Sequence, residues 1–215
     1  MTDTPRVVIK LGGSLKDCAS PLIRQIDDRA RQKHISVLIV PGGGVFADTV
    51  RTFQQASGTG EDAAHWMAVL AMEQYAYYLA DKSSCPLTTT LEPLEPGVSI
   101  LLPYRLLQQD DSGLAHSWDV TSDTISAWVA RKTGARLVKA TDVDGIHLNG
   151  SLVSCLHASD LLDMEETCVD RGLPRLLLKH GLDCQVVNGR YPERVLAAMD
   201  GDVNSGTQIL GENKL

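Results

Sequence analysis

The 215-residue chain is 43% hydrophobic and 22% charged, enough for one α/β domain, or two closely packed lobes, without metal or disulfide staples. Its net charge of −7 argues against a nucleic-acid surface, and no window approaches the roughly 18 apolar residues of a membrane helix. Five scattered cysteines without a C-x-x-C pair, and six histidines without an i, i+4 pair, speak against a zinc site, a disulfide framework or another protein-held metal, and leave small-molecule chemistry as the expectation.

Thr2 to Arg6 lead into the first strand without a cationic segment or an apolar run, so no signal peptide is read and the cytoplasm is the expected compartment. Arg6–Leu11 is a β-branched run ending in Gly12-Gly13-Ser14, a buried strand entering a glycine loop. Ser20-Pro21 predicts an N-cap and first helical residue, with Leu22, Ile23, Ile26 and Ala30 on one helix face. Ser36–Val40 is a second strand, and Pro41-Gly42-Gly43-Gly44 opens a helix over Val45–Gln55. Two strand, loop, helix units of this kind build a parallel sheet.

A long apolar helix spans Glu61–Lys82. Its breadth of apolar surface exceeds a single stripe and reads equally as a core helix or a homodimer seam; a homo-oligomer is expected. The proline-punctuated stretch Thr88–Pro103 holds one strand, Val98–Leu102, and polar Gln108–Gly113 marks a boundary between halves of about 1–112 and 113–215 in a single domain. Beyond it come a helix at Thr121–Thr133, strands at Arg136–Ala140, Cys184–Val187 and Thr207–Leu210, and a helix at Pro192–Met199.

Three strand-end loops are rich in glycine or acid: Lys10-Leu-Gly-Gly-Ser14, Pro41-Gly-Gly-Gly44 and Thr141-Asp-Val-Asp-Gly145. The carboxyl ends of parallel strands are where ligands bind in open α/β sheets, and glycines let backbone N–H groups approach an anion. Lys10, at the last positions of an apolar strand, reads as a phosphate-binding cation that a snorkelling rim lysine would also explain. Asp119 and Asp123 flank a helix start, where capping needs only one such residue, so Asp123 is read as an organiser of catalytic lysines. No G-x-x-x-x-G-K-[ST] is present, which excludes a P-loop.

In order, VVIKLGGSL, VPGGG, the Asp119 and Asp123 pair, TDVDGIH, VVNG and GTQI resemble the amino acid kinase family over nearly the whole chain. The resemblance implies a three-layer αβα sandwich with a mainly parallel sheet, ATP and its Mg²⁺ as cofactors, and an acceptor held by the N-terminal half. Position by position it implies nucleotide binding by Gly12, Gly13, Thr141, Asp142, Asp144, Gly145, Asn188 and Gly189. It implies acceptor binding by Gly42, Gly43, Gly44, Asp48 and Asp119, and catalysis by Lys10, Asp123 and a second cation. Where the family usually has a second catalytic lysine the chain has Leu176, beside Arg175; Lys139 is the expected replacement.

Asp48 stands where isopentenyl phosphate kinases carry a histidine. GGGVFADTVR, HSWDVTSDTISAWVA and VVNGRYPERVL are most similar to the small kinases that phosphorylate [5-(aminomethyl)furan-3-yl]methyl phosphate for methanofuran-type cofactors. That acceptor needs no general base, because a phosphomonoester is mostly dianionic at neutral pH. Another acceptor, such as a nucleoside monophosphate or a carboxylate, and a nucleotide-binding protein without turnover are the alternatives.

Overall fold

A computed structural model describes residues 4–92, 95–164 and 167–212. Residues 1–3, on which the reading of the amino terminus partly rests, and 93–94 within the proline-punctuated stretch lie outside the described residues.

β1 (Arg6–Leu11) is buried at every residue but Arg6, as its β-branched side chains favour. α1 (Ala19–Lys33) follows, then β2 (Ser36–Pro41), α2 (Gly44–Ser57) and α3 (Glu61–Ser83). β3 (Leu87–Thr88), β4 (Gly97–Leu101) and α4 (Tyr104–Gln109) complete the first half. The second half comprises α5 (Ser122–Thr133), β5 (Arg136–Thr141), the short strands β6 (His147–Leu148), β7 (Ser151–Leu152) and β8 (Cys155–His157), α6 (Gly172–His180), β9 (Cys184–Asn188), α7 (Pro192–Asp200) and β10 (Thr207–Leu210).

The main sheet runs β3-β4-β2-β1-β5-β9-β10-β8 and is parallel except where β10 meets β9. Alternation along the strands separates two apolar layers. Val8, Val40 and Leu137 face Ile125 and Trp128 of α5 and Leu177 of α6. Val7, Ile9 and Val138 face Leu22 and Ile26 of α1 and Val195 of α7. This is the expected three-layer sandwich. α3 buries Val69, Met72, Tyr75 and Leu79 against both layers, while Leu70, Tyr77 and Tyr78 stay exposed.

The start of α1 differs from the sequence reading. The helix begins at Ala19 with Cys18 as its N-cap, and the Ser20 hydroxyl instead donates to the Lys82 carbonyl at the end of α3 at 2.7 Å. A long-range partner has displaced the local cap. No helix among the described residues is long and apolar enough to cross a membrane.

Candidate active site

The strand register brings the site together. Lys10 on β1 pairs with Lys139 on β5, so both side chains leave the sheet on the same face, beneath α5. Asp123, in the first turn of α5, meets them: its carboxylate lies 2.9 Å from the Lys10 ammonium and 2.5 Å from that of Lys139. All three residues are buried. Lys139 also donates to the Cys168 carbonyl.

Two lysine side chains thus share one carboxylate in a dry setting. Burial opposes ionisation of Asp123, yet the two lysines hold its carboxyl far below the usual range. Burial lowers Lys10 from the ordinary lysine value, with the repulsion of Lys139 adding to it and Asp123 only partly offsetting it. For Lys139 the burial penalty is outweighed by Asp123, and its pKa is raised.

Asp170 escaped the sequence reading. Its carboxylate accepts from the Thr121 N–H (2.7 Å) and hydroxyl (2.7 Å), the Thr124 N–H (3.1 Å) and hydroxyl (2.5 Å), and the Leu173 N–H (2.8 Å). It thus satisfies free donors at the starts of both α5 and α6. Its own N–H donates to Asp123 at 3.1 Å. Burial and the Asp123 charge push its carboxyl up. The signal was Asp170 two residues before Gly172-Leu-Pro174, a helix start.

The nucleotide-loop residues gather at the ends of β5 and β9. Thr141 and Asn188 are register partners, and the Gly189 N–H donates to the Thr141 carbonyl at 2.7 Å. Asp144 accepts from Asn188 at 3.0 Å and from Arg194 at 2.5 Å. Those two partners lower its carboxyl, and hydrogen bonds from Ser14 and Thr141 lower that of Asp142 against a burial penalty. Gly145, with φ of +150°, packs where a Cβ would lie 2.4 Å from the Thr207 hydroxyl.

A cavity of about 600 Å³ opens above Lys10. Its wall includes Gly42, Gly43, Gly44 and Asp48, grouped by the sequence reading as acceptor-binding, Gly13, which that reading placed with the nucleotide, and also Lys16, Arg51, Glu61, His65 and Trp118, which it did not name. The glycine loops touch: a Cβ on Gly13 would lie 2.3 Å from the Gly44 Cα. The Gly12 N–H donates to the Ala140 carbonyl (3.0 Å) and the Gly42 N–H to the Leu11 carbonyl (2.8 Å), so these two donors join strands. Donors open to an anion include those of the first turn of α2.

One expected residue, Asp119, and Arg175, the competing candidate for the second cation, lie elsewhere. Asp119 is not brought to this cavity but faces Arg175 across 4.0 Å. Arg175, the rival second cation, is exposed on α6 and does not join the Lys10, Asp123 and Lys139 cluster.

The missed wall residues belong to a roof made by chain-distant contacts. The Arg51 guanidinium stacks 4.3 Å from the Trp118 ring centre. The Trp118 indole donates to Gln54 at 2.5 Å, and Gln54 donates to Glu61 at 3.1 Å. Beside them the His65 ring stacks on His116, centres 4.4 Å apart. The nitrogens of His116 lie 2.5 Å from Asp62 and 2.7 Å from Asp111. Carboxylates only accept, so this double pairing suits the imidazolium, and the Asp62 hydrogen bond raises the His116 pKa. The His116 cation repels a second charge on the stacked ring, an effect that Asp111 and Asp62 offset in part. Burial and His116 accordingly lower His65.

Residues 5–180 match the family model described as "Amino acid kinase family". The chain is 33% identical over 217 aligned residues to a [5-(aminomethyl)furan-3-yl]methyl phosphate kinase of Methanocaldococcus jannaschii, covering 97% of this chain and 99% of the relative. Among solved structures it is similar to uridylate kinase from Archaeoglobus fulgidus, with TM-score 0.70, 20% identity, and coverage of 94% of this chain and 99% of that one. It is also similar to UMP kinase from Bacillus anthracis, with TM-score 0.71, 18% identity, and coverage of 98% and 97%. With a parallel-sheet sandwich, a family match over most of its length and a relative aligned end to end, the chain belongs to the amino acid kinase family and is a phosphotransferase.

Proposed function

We propose that this protein transfers the γ-phosphoryl group of ATP to [5-(aminomethyl)furan-3-yl]methyl phosphate, giving the diphosphate and ADP. The observation that carries this reading is the cavity above Lys10, whose wall combines cationic Lys10, Lys16 and Arg51 with acidic Asp48 and Glu61. That mixture suits an acceptor bearing both a phosphate and an ammonium group. The relative's name supplies such a molecule.

A terminal oxygen of the acceptor phosphate attacks the γ-phosphorus, the bond from that phosphorus to the β,γ-bridging oxygen breaks, and ADP leaves with the electron pair. Lys10 neutralises charge on the transferring group, Lys139 supplies the second positive charge of the cluster, and Asp123 fixes both ammonium positions. The Asp142 and Asp144 carboxylates, kept ionised by their partners, are hard oxygen donors suited to the Mg²⁺ that accompanies ATP, an ion usually held by one or two carboxylates and phosphate oxygens. When bound, that ion would offset phosphate charge.

The test is a panel of acceptors, comprising the aminomethylfuran phosphate, UMP, isopentenyl phosphate and aspartate, assayed for acceptor-dependent ADP release. Turnover selective for the aminomethylfuran phosphate is expected. Preference for another member would sink the acceptor assignment, and ATP binding without turnover of any would sink the kinase assignment.

A further inference from the structure

His65 sits near the start of α3, is only 5% exposed, and lines the cavity above Lys10. Its Nε2 is buried and has no hydrogen-bond partner among the described residues. A core histidine kept for structure alone would have its ring nitrogens paired within the protein.

The neighbours of His65 decide what this atom can do. His116, stacked on it, holds a carboxylate at each nitrogen, the pairing that suits an imidazolium. Burial and this adjacent cation lower the His65 pKa, with Asp111 and Asp62 only partly offsetting them, which favours the neutral ring with one N–H and one lone pair. Asp62 and Asp111 outnumber the imidazolium between them, leaving that corner with one net negative charge, and Glu61 lies one helical turn earlier on the cavity wall. Trp66 meets the His65 ring edge to face and adds no charge. A neutral nitrogen in a negatively charged corner is matched by a cationic hydrogen-bond donor.

Resting on the acceptor proposed above, we infer that His65 determines acceptor specificity: its Nε2 lone pair accepts a hydrogen bond from the acceptor's ammonium group. A half-turn of the ring about χ2 preserves its plane and its stack on His116 while exchanging the places of Nε2 and Cε1, so the nitrogen can be re-aimed without moving α3. An ammonium has three donors, so His65 and Asp48 can both engage it.

The test uses the whole chain with ¹⁵N-labelled histidine. In wild type without ATP, the ring signal lost in His65→Leu should move on adding the aminomethylfuran phosphate and stay put with the analogue bearing methyl in place of aminomethyl. In kinetics, His65→Leu should raise KM for the aminomethyl acceptor by about tenfold or more, the scale of a hydrogen bond to a charged group, with little change for ATP or the methyl analogue. His65→Gln, which retains an acceptor oxygen, should recover part of the discrimination. Equal losses on both acceptors, or an unmoved ring signal, would overturn the role of His65 while leaving the acceptor assignment intact. A wild type that turns over UMP and ignores the aminomethylfuran phosphate would instead overturn the assignment on which this inference rests. Should both variants misfold, the His65 ring signal is assigned in wild type by through-bond correlation to its own backbone amide, and the titration decides.

Discussion

Lys10 and Lys139 are register partners on adjacent parallel strands, and their ammonium groups converge on the two oxygens of one buried carboxylate, that of Asp123. A cation aimed at transition-state charge mainly affects kcat. Lys10→Met is therefore expected to lower kcat by at least about a hundredfold in a variant whose circular dichroism is unchanged. If Asp123 acts by positioning the two lysines and not by binding the nucleotide, Asp123→Asn should depress kcat more than it raises KM for ATP. Near-normal kcat in folded Lys10→Met would remove Lys10 from the chemistry, and an effect of Asp123→Asn confined to KM would make Asp123 a binding residue.

Lys139 and Arg175 compete for the part of second cation, and the geometry separates them. Lys139 donates to Asp123 within the cluster, whereas Arg175 is exposed and faces Asp119. Lys139→Ala should approach the loss seen for Lys10→Met, and Arg175→Ala should leave kcat within about threefold of wild type, as surface substitutions generally do. The reverse ranking in the same assay would move the second charge to α6.

How the site was legible follows from where its residues lie. Lys10, Lys139 and Asp123 sit at strand ends or a helix start, positions that glycine, β-branched runs and capping residues announce locally. Strand alternation then places the two lysines on one face. The roof was not legible: Trp118 reaches Arg51 and Gln54 from a segment far away in sequence, and nothing local marks that meeting. Asp119 was expected to bind the acceptor, but its carboxylate faces Arg175 while Asp123 meets the two lysines. The short strands β6, β7 and β8 were missed because two or three residues carry no readable period.

Lys10 should leave its mark on the alkaline limb of activity. Burial lowers its pKa below the ordinary lysine value, and the cationic form is the active one, so kcat should fall as pH rises through that lowered value. Lys10→Arg, whose guanidinium stays charged, should abolish or raise this limb even if its maximum rate is lower. A limb unchanged by the substitution would assign it to another group.

His116 makes a stability prediction of definite sign. Its folded pKa is raised by Asp62 and Asp111, so its stabilising contribution is complete below the unfolded histidine value of about 6.5 and is lost as pH rises through the higher folded value. Urea denaturation should show His116→Asn clearly less stable than wild type at about pH 6, with the gap closing in mildly alkaline buffer. A gap independent of pH would mean that His116 acts by packing alone.

Asp48 tests the acceptor through its charge. It is exposed at the cavity wall one turn into α2, where the isopentenyl phosphate kinase pattern has histidine, and it makes no ion pair among the described residues. If it holds the acceptor's ammonium, Asp48→Asn should cost about 1.5 to 3 kcal/mol with the aminomethyl acceptor, the scale of a charge-assisted hydrogen bond, and much less with the methyl analogue. A solvated surface aspartate would change both by no more than about 0.5 kcal/mol. The kcat/KM values of the two acceptors with wild type and variant close a thermodynamic cycle, so any shared effect on folding or ATP binding cancels. A coupling near zero would take Asp48 out of acceptor recognition. A large coupling for Asp48 alongside a large one for His65→Leu would place both groups at the ammonium, because a single structural disturbance would weaken the two acceptors alike.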